Sequence, residues 1–134
     1  MKLKFPYESK PTLNFGNIPT IKLKIEVETP QGFIPLLFLF DTGADVTSLP
    51  ISSAGKLGIN LDKCPKEPMS GYEGGNVEVY LSKLNVKFNK QTFTIPCVFS
   101  PNENVPILLG RAGIITRFNI KLDAKNKEIT FEEI

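Results

Sequence analysis

The residues whose types could do chemistry stand together in Phe38-Leu39-Phe40-Asp41-Thr42-Gly43-Ala44-Asp45. An apolar run delivers an acid, a hydroxyl and a glycine in succession, and a second acid follows closely. A carboxylate can take and return a proton, and glycine lets a ligand or another backbone come close. The same residues are also ordinary turn formers where a strand ends. A given tripeptide arises by chance in about 1–2% of chains of this length, so the segment alone is only moderately specific. Two further segments bear on it. Ile107-Leu108-Leu109-Gly110-Arg111 is an apolar strand that ends in glycine and a cation, just before a short helical candidate. Met69-Ser70-Gly71-Tyr72-Glu73-Gly74-Gly75-Asn76 packs three glycines between extended segments, the composition of a hairpin tip.

Composition limits the partners such an acid can have. The chain has 134 residues, 16 Lys+Arg, 14 Asp+Glu and no histidine. One domain over 1–134 is expected. Without histidine there is no Ser-His-Asp triad, no Cys-His pair and no His-ligated metal, so in an enzyme carboxylates, thiols, lysines or tyrosines must do the proton work. The net charge of +2 is spread along the chain, with no basic stripe for nucleic acid. Cys64 and Cys97 form neither a disulfide framework nor a CxxC metal site, and read as small buried hydrophobes in a reducing compartment. The start, Met1 to Pro6, lacks the long apolar region of a secretory signal. The longest apolar run, Leu36 to Phe40, is far too short for a membrane span. The expectation is a cytoplasmic protein with no metal, no cofactor, no nucleic acid and no membrane.

The elements that must position the acids are mostly strands. Ile21, Leu23, Ile25 and Val27 alternate with Lys22, Lys24, Glu26 and Glu28, a half-buried strand. Thr29 to Gly32 reads as a turn, and Phe33 to Phe40 as a strand buried on both faces towards its end. Val77, Val79 and Leu81 alternate, as do Leu84, Val86 and Phe88. Asn89-Lys90 turns the chain, and Phe93, Ile95, Cys97 and Phe99 form the next apolar face. Ile120 and Leu122, a turn over Asp123 to Lys127, then Ile129 and Phe131 make a last hairpin. Ile51 to Leu57, closed by Gly58, and Ala112 to Arg117 are the two short helical candidates. These patterns predict a mostly-β domain, a small closed or sandwich-like barrel.

In this order and spacing, the three segments resemble the retropepsin-like aspartic proteases, over about residues 20 to 122. The resemblance rests on Asp41-Thr42-Gly43-Ala44-Asp45 after an apolar run, on Leu108-Leu109-Gly110-Arg111, and on the Gly71–Gly75 segment. It implies a small closed β-barrel of the acid-protease type, with about 1–19 as an N-terminal extension, a flap hairpin near 66–81 and a C-terminal hairpin over 118–134. By the same resemblance Asp41 is the catalytic aspartate. Thr42, Gly43, Asp45, Gly110 and Arg111 support its loop, with Thr42 bonded to its dimer mate and Asp45 paired to Arg111. Leu39, Gly43, Ala44, Asp45, Val46, Ser48 and Leu108 bind substrate. Gly71, Tyr72, Glu73, Gly74 and Gly75 form the flap.

Two carboxylates close together share one proton and serve as base and acid at once. The chain holds a single Asp-Thr-Gly. The second carboxylate must therefore come from a second copy, which predicts a symmetric homodimer acting on extended peptide. Retroviral relatives seal that dimer with interleaved terminal strands, and the termini here differ. A peptide-binding module of the same fold with little hydrolysis is the alternative. A metal or phosphoryl-transfer site on Asp41 and Asp45 lacks the further acids and the parallel sheet it needs. A nucleic-acid barrel is disfavoured because its phenylalanines alternate as core does.

Glu73 sits at the expected flap tip, where the retroviral enzymes carry an apolar residue. Two tips meeting in a dimer repel once both glutamates ionise, above about pH 5. Peptide cleavage at neutral pH should therefore rise in Glu73→Ile and the acid preference should flatten. An unchanged pH–rate profile in that variant contradicts the idea.

Overall fold

The computed structural model describes residues 2–70, 75–88 and 90–134. Twelve strands account for most of them: β1 (Lys2–Pro6), β2 (Glu8–Thr12), β3 (Gly16–Thr20), β4 (Lys22–Thr29), β5 (Gly32–Phe40), β6 (Thr47–Pro50), β7 (Lys66–Ser70), β8 (Asn76–Phe88), β9 (Gln91–Ser100), β10 (Leu108–Leu109), β11 (Phe118–Asp123) and β12 (Glu128–Glu133). One short helix, α1 (Ser53–Lys56), and a 3-10 turn at Leu61–Lys63 complete the regular structure.

The alternation in β4 is translated directly into burial. Leu23, Ile25, Val27 and Thr29 are buried while the lysines and glutamates between them face water. β4 pairs antiparallel with β5 from Lys22↔Leu39 to Thr29↔Gly32. In β5 the reading of two buried faces fails. Phe38 is fully buried, but Leu37 on the opposite face is 53% exposed and Phe33 37%. An antiparallel ribbon needs only one covered face, and the face of Phe33 and Leu37 is left largely to water.

The seven-stranded sheet runs β4-β5-β10-β6-β9-β8-β7, and β4 also pairs with β8 through Glu26↔Lys87 and Val27↔Val86. β8 is a single long strand whose apolar phase shifts halfway. Val77 and Val79 share one phase, while Leu84, Val86 and Phe88 take the other. The first half pairs with β7 and the second with β4 and β9. The shift marks where the strand passes from the β7–β8 hairpin into the main core. The expected tip residues of that hairpin, Gly71, Tyr72, Glu73 and Gly74, lie outside the described residues, as does Asn89 of the expected β8–β9 turn.

The N-terminal segment is structured. β1 pairs antiparallel with β12, and β12 with β11, giving a second, three-stranded sheet. β2 and β3 form a separate two-stranded hairpin. The terminal sheet is fastened by phenylalanines. Phe131 meets Phe5, Phe40, Phe88 and Phe118 edge to face at 5.6–5.8 Å, and Phe88 stacks on Phe118 at 5.3 Å. Phe40, one residue before Asp41, thus abuts the C-terminal hairpin, and the chain ends support the loop that follows β5.

Of the two helical candidates, the first forms. α1 closes with a Schellman pattern, Ile59 N–H to Ala54 C=O at 2.9 Å and Gly58 N–H to Gly55 C=O at 3.1 Å, with Gly58 at φ +73. The second does not. Residues 112–117 are consecutive turns, because Gly113 at φ +81 breaks the helical run between Arg111 and Ile114. No described helix is long and apolar enough to cross a membrane. Cys64 and Cys97 are both free thiols. Burial, and to a lesser degree nearby Cys64, push the Cys97 thiol up to about 12, so it stays protonated and unreactive.

Candidate active site

Asp41 follows the last residue of β5, where the ladder releases the chain. Its N–H still donates to Leu109 C=O at 3.1 Å. One residue earlier, Phe40 N–H donates to Ile21 C=O at 2.9 Å. Both sides of the strand end are therefore held. Beyond it the chain turns on itself. Gly43 N–H donates to Asp41 Oδ1 at 2.9 Å and Ala44 N–H to Asp41 C=O at 3.2 Å. This Asx-type turn orients the carboxylate through its own backbone. Asp41 is half-buried, while Thr42 and Gly43 are exposed.

β10 holds the loop from below. It runs parallel to β5, Leu108 beside Leu39 and Leu109 beside Phe40, and antiparallel to β6 at Leu108↔Ser48. Gly110 then passes against the backbone of Val46. A Cβ placed on it would lie 2.3 Å from the Val46 carbonyl carbon and 2.8 Å from Thr47 N, so only glycine fits. This approach brings Arg111 under the loop. Arg111 N–H donates to Ala44 C=O and Ala112 N–H to Asp45 C=O, both at 3.0 Å. The guanidinium donates through Nη1 to Thr42 C=O at 2.7 Å and through Nη2 to the Asp45 carboxylate. Arg111 thus grips the loop at both ends with one planar fork, which a lysine has no second arm to copy.

Thr47 completes the lock. It is fully buried, and its hydroxyl accepts the Gly110 N–H at 3.2 Å. Sequence reasoning passed over it, since the hydroxyl's partner lies 63 positions away.

Asp41 opens onto a cleft of about 750 Å³. Of the residues singled out from sequence, Asp41, Gly43, Ala44, Asp45, Val46, Ser48, Leu108 and Gly75 line it. Thr42, Gly110 and Arg111 stand behind the wall. Leu39 is not among the lining residues, being paired between Lys22 and Leu108. The cleft has other walls, Met69, Val77 and Val79 within the expected flap hairpin, and Val98, Ser100 and Val105 on the far side, the last three of which sequence reasoning missed. The signal for Val77 and Val79 was their phase, opposite to that of the core-facing half of β8. The loop bearing Val105 is tethered to α1. Ser52 N–H and Oγ donate to the two carboxylate oxygens of Glu103 at 3.2 and 2.9 Å. Among the described residues no group of three or more acidic or cysteine side chains gathers as a metal site would require.

Residues 25–112 match a family model described as aspartyl protease. That span is well over half of the sequence, so the chain belongs to the aspartyl protease family. Its fold is retropepsin-like. It is similar to a retropepsin-like aspartic protease from Rickettsia conorii, with a TM-score of 0.65 and 18% identity over 97% of this chain and 98% of that one. It is also similar to the EIAV protease complexed with the inhibitor HBY-793, with a TM-score of 0.51 and 25% identity over 75% of this chain and 88% of that one.

Replacing Thr47 by valine keeps the shape and leaves the buried Gly110 N–H without its acceptor. Thr47→Val should lose about 1–3 kcal/mol of stability, and Thr47→Ser should retain most of it. Denaturant unfolding of the three proteins decides. Equal midpoints for wild type and Thr47→Val contradict the role given to this hydroxyl.

Proposed function

We propose that the protein is an aspartic endopeptidase that works as a symmetric homodimer, hydrolysing peptide bonds through a dyad of Asp41 from each protomer. One observation carries this reading. A braced, half-buried Asp41 faces a peptide-sized cleft, and the described chain has only one such loop. Thr42 and Gly43, both exposed in the loop beside Asp41, fit a surface that meets its own copy. Family membership and fold support the same reading.

The chemistry follows from a shared proton. Two carboxylates a few ångströms apart cannot both ionise, and aspartic proteases are the type case of this behaviour. The ionised aspartate takes a proton from water as its oxygen bonds to the scissile carbonyl carbon. The neutral aspartate gives its proton to the carbonyl oxygen. A tetrahedral diol results, with one carboxyl protonated. That proton then passes to the peptide nitrogen as the C–N bond breaks, and a diol hydroxyl returns a proton to the dyad. The books balance with no cofactor.

In this reading Gly43 accepts the substrate backbone, and the apolar walls of Ala44, Val46 and Leu108 favour apolar side chains beside the scissile bond. Leu39 acts behind Leu108 and does not touch the peptide. The β7–β8 hairpin, whose Met69, Val77 and Val79 line the cleft, covers the substrate. The β4–β8 pairing supports closure of the main sheet into the barrel. Two free thiols fit a cytoplasmic, reducing location.

The test compares wild type with Asp41→Asn on a peptide library at pH 4 to 7. Wild type should cleave, with the rate lowered about 1,000-fold or more in Asp41→Asn and the melting temperature little changed. Equal cleavage by both proteins overturns the assignment of Asp41. Binding by both without cleavage replaces the enzyme by a peptide-binding module.

A further inference from the structure

The β2–β3 hairpin has no task in the chain that carries it. Among the described residues β2 and β3 pair only with each other, and every residue of the two strands except Thr12 and Thr20 is exposed. Its tip is apolar. Leu13 is 97% exposed, Phe15 80% and Ile18 38%. A lone two-stranded hairpin is marginal in water, and soluble monomers seldom display large apolar side chains in a cluster without use.

The tip is nevertheless built. Thr12 Oγ1 accepts the Phe15 N–H at 3.0 Å and donates to Gly16 C=O at 2.7 Å, which fixes the turn that holds Leu13 and Phe15 outward. The base is held as well. Tyr7 N–H donates to Lys127 C=O at 2.8 Å just before β2, and Ile21 C=O accepts the Phe40 N–H just after β3. An apolar knob that is ordered before it meets anything loses little entropy on binding.

We propose that this hairpin is an arm that clasps a second copy of the chain, with Leu13 and Phe15 buried against the partner's body. The inference rests on the dimeric reading above. Position supports a second copy as the occupant. The arm springs from Ile21, whose carbonyl is bonded to the residue preceding Asp41, so it leaves the molecule beside the loop that must face the partner. Five strand residues at about 3.3 Å each carry the tip roughly 17 Å beyond that base, enough to cross a two-fold seam. Within the terminal sheet β12 is paired on both edges by β1 and β11 of its own chain, so this last strand is not itself an open edge, and β1 and β11 are the edges that remain. Charge argues against a lipid surface, since Glu8 and Lys10 cancel and residues 11–20 carry no charge.

The experiment is sedimentation equilibrium over a concentration series on the full chain. Wild type is compared with Leu13→Asp/Phe15→Asp and with the milder Leu13→Ser/Phe15→Ser. The tip packs on no other described strand, so circular dichroism and melting temperature should stay those of wild type. Both variants should raise the dimer dissociation constant at least about 30-fold. A wild-type dimer whose dissociation constant is unchanged in both variants overturns the arm and leaves the dimer standing. A wild type that stays monomeric at 100 micromolar overturns both. An unchanged dimer together with loss of binding to phosphatidylserine vesicles in the variants also overturns the proposal, and assigns the tip to a membrane.

Discussion

The crossing of Gly110 over Val46 is the contact on which the rest of the site depends. At 2.3 Å from a notional Cβ to the Val46 carbonyl carbon, the two backbones meet where no side chain fits. That crossing lets β10 lie parallel to β5 and sets Arg111 beneath the Asp41 loop, with its guanidinium on Thr42 C=O and Asp45. It also buries the Gly110 N–H, which Thr47 then satisfies. The carboxylate of Asp41 is therefore oriented in part by backbone, through a turn pinned at both ends.

Everything farther out serves that pin. The core beneath it is ordinary period-two burial, and the phenylalanines around Phe131 join the chain ends to Phe40 just before the loop. The exposed ion pair of Arg111 with Asp45 contributes little stability by its charge alone, with Asp45's side chain 87% open to water. Its value is directional, since one planar cation reads two acceptors. On the cleft side, the long β8 strand supplies core in its second half and cleft wall in its first, so the hairpin over the site is an extension of the sheet that holds it.

Local pattern made part of this legible and hid the rest. The alternation in β4 and β9 could be read because each strand states its own buried face. Asp41 to Asp45 and Leu108 to Arg111 stood out because their residue types are unusual at the end of apolar runs. Ala112 to Arg117 reads as a helix from sequence and is not one, since apolar spacing there says nothing of the positive φ at Gly113. Both faces of β5 were read as buried, because an apolar run cannot tell which face lacks a cover. The roles of β1 and Thr47 were hidden for a different reason. Their partners, β12 and Gly110, lie at the far end of the sequence, and no local pattern encodes a partner so remote.

The central claim is that one chain holds half of an active site. Mixing tests it most directly. Asp41→Asn protein is added to wild type in equal amount, above the dimer dissociation constant, and the subunits are allowed to exchange. If both Asp41 carboxylates are needed, mixed dimers are dead, and the total cleavage rate falls to about half that of wild type alone. A rate unchanged by the added variant means that one Asp41 suffices within its own chain, and contradicts the account.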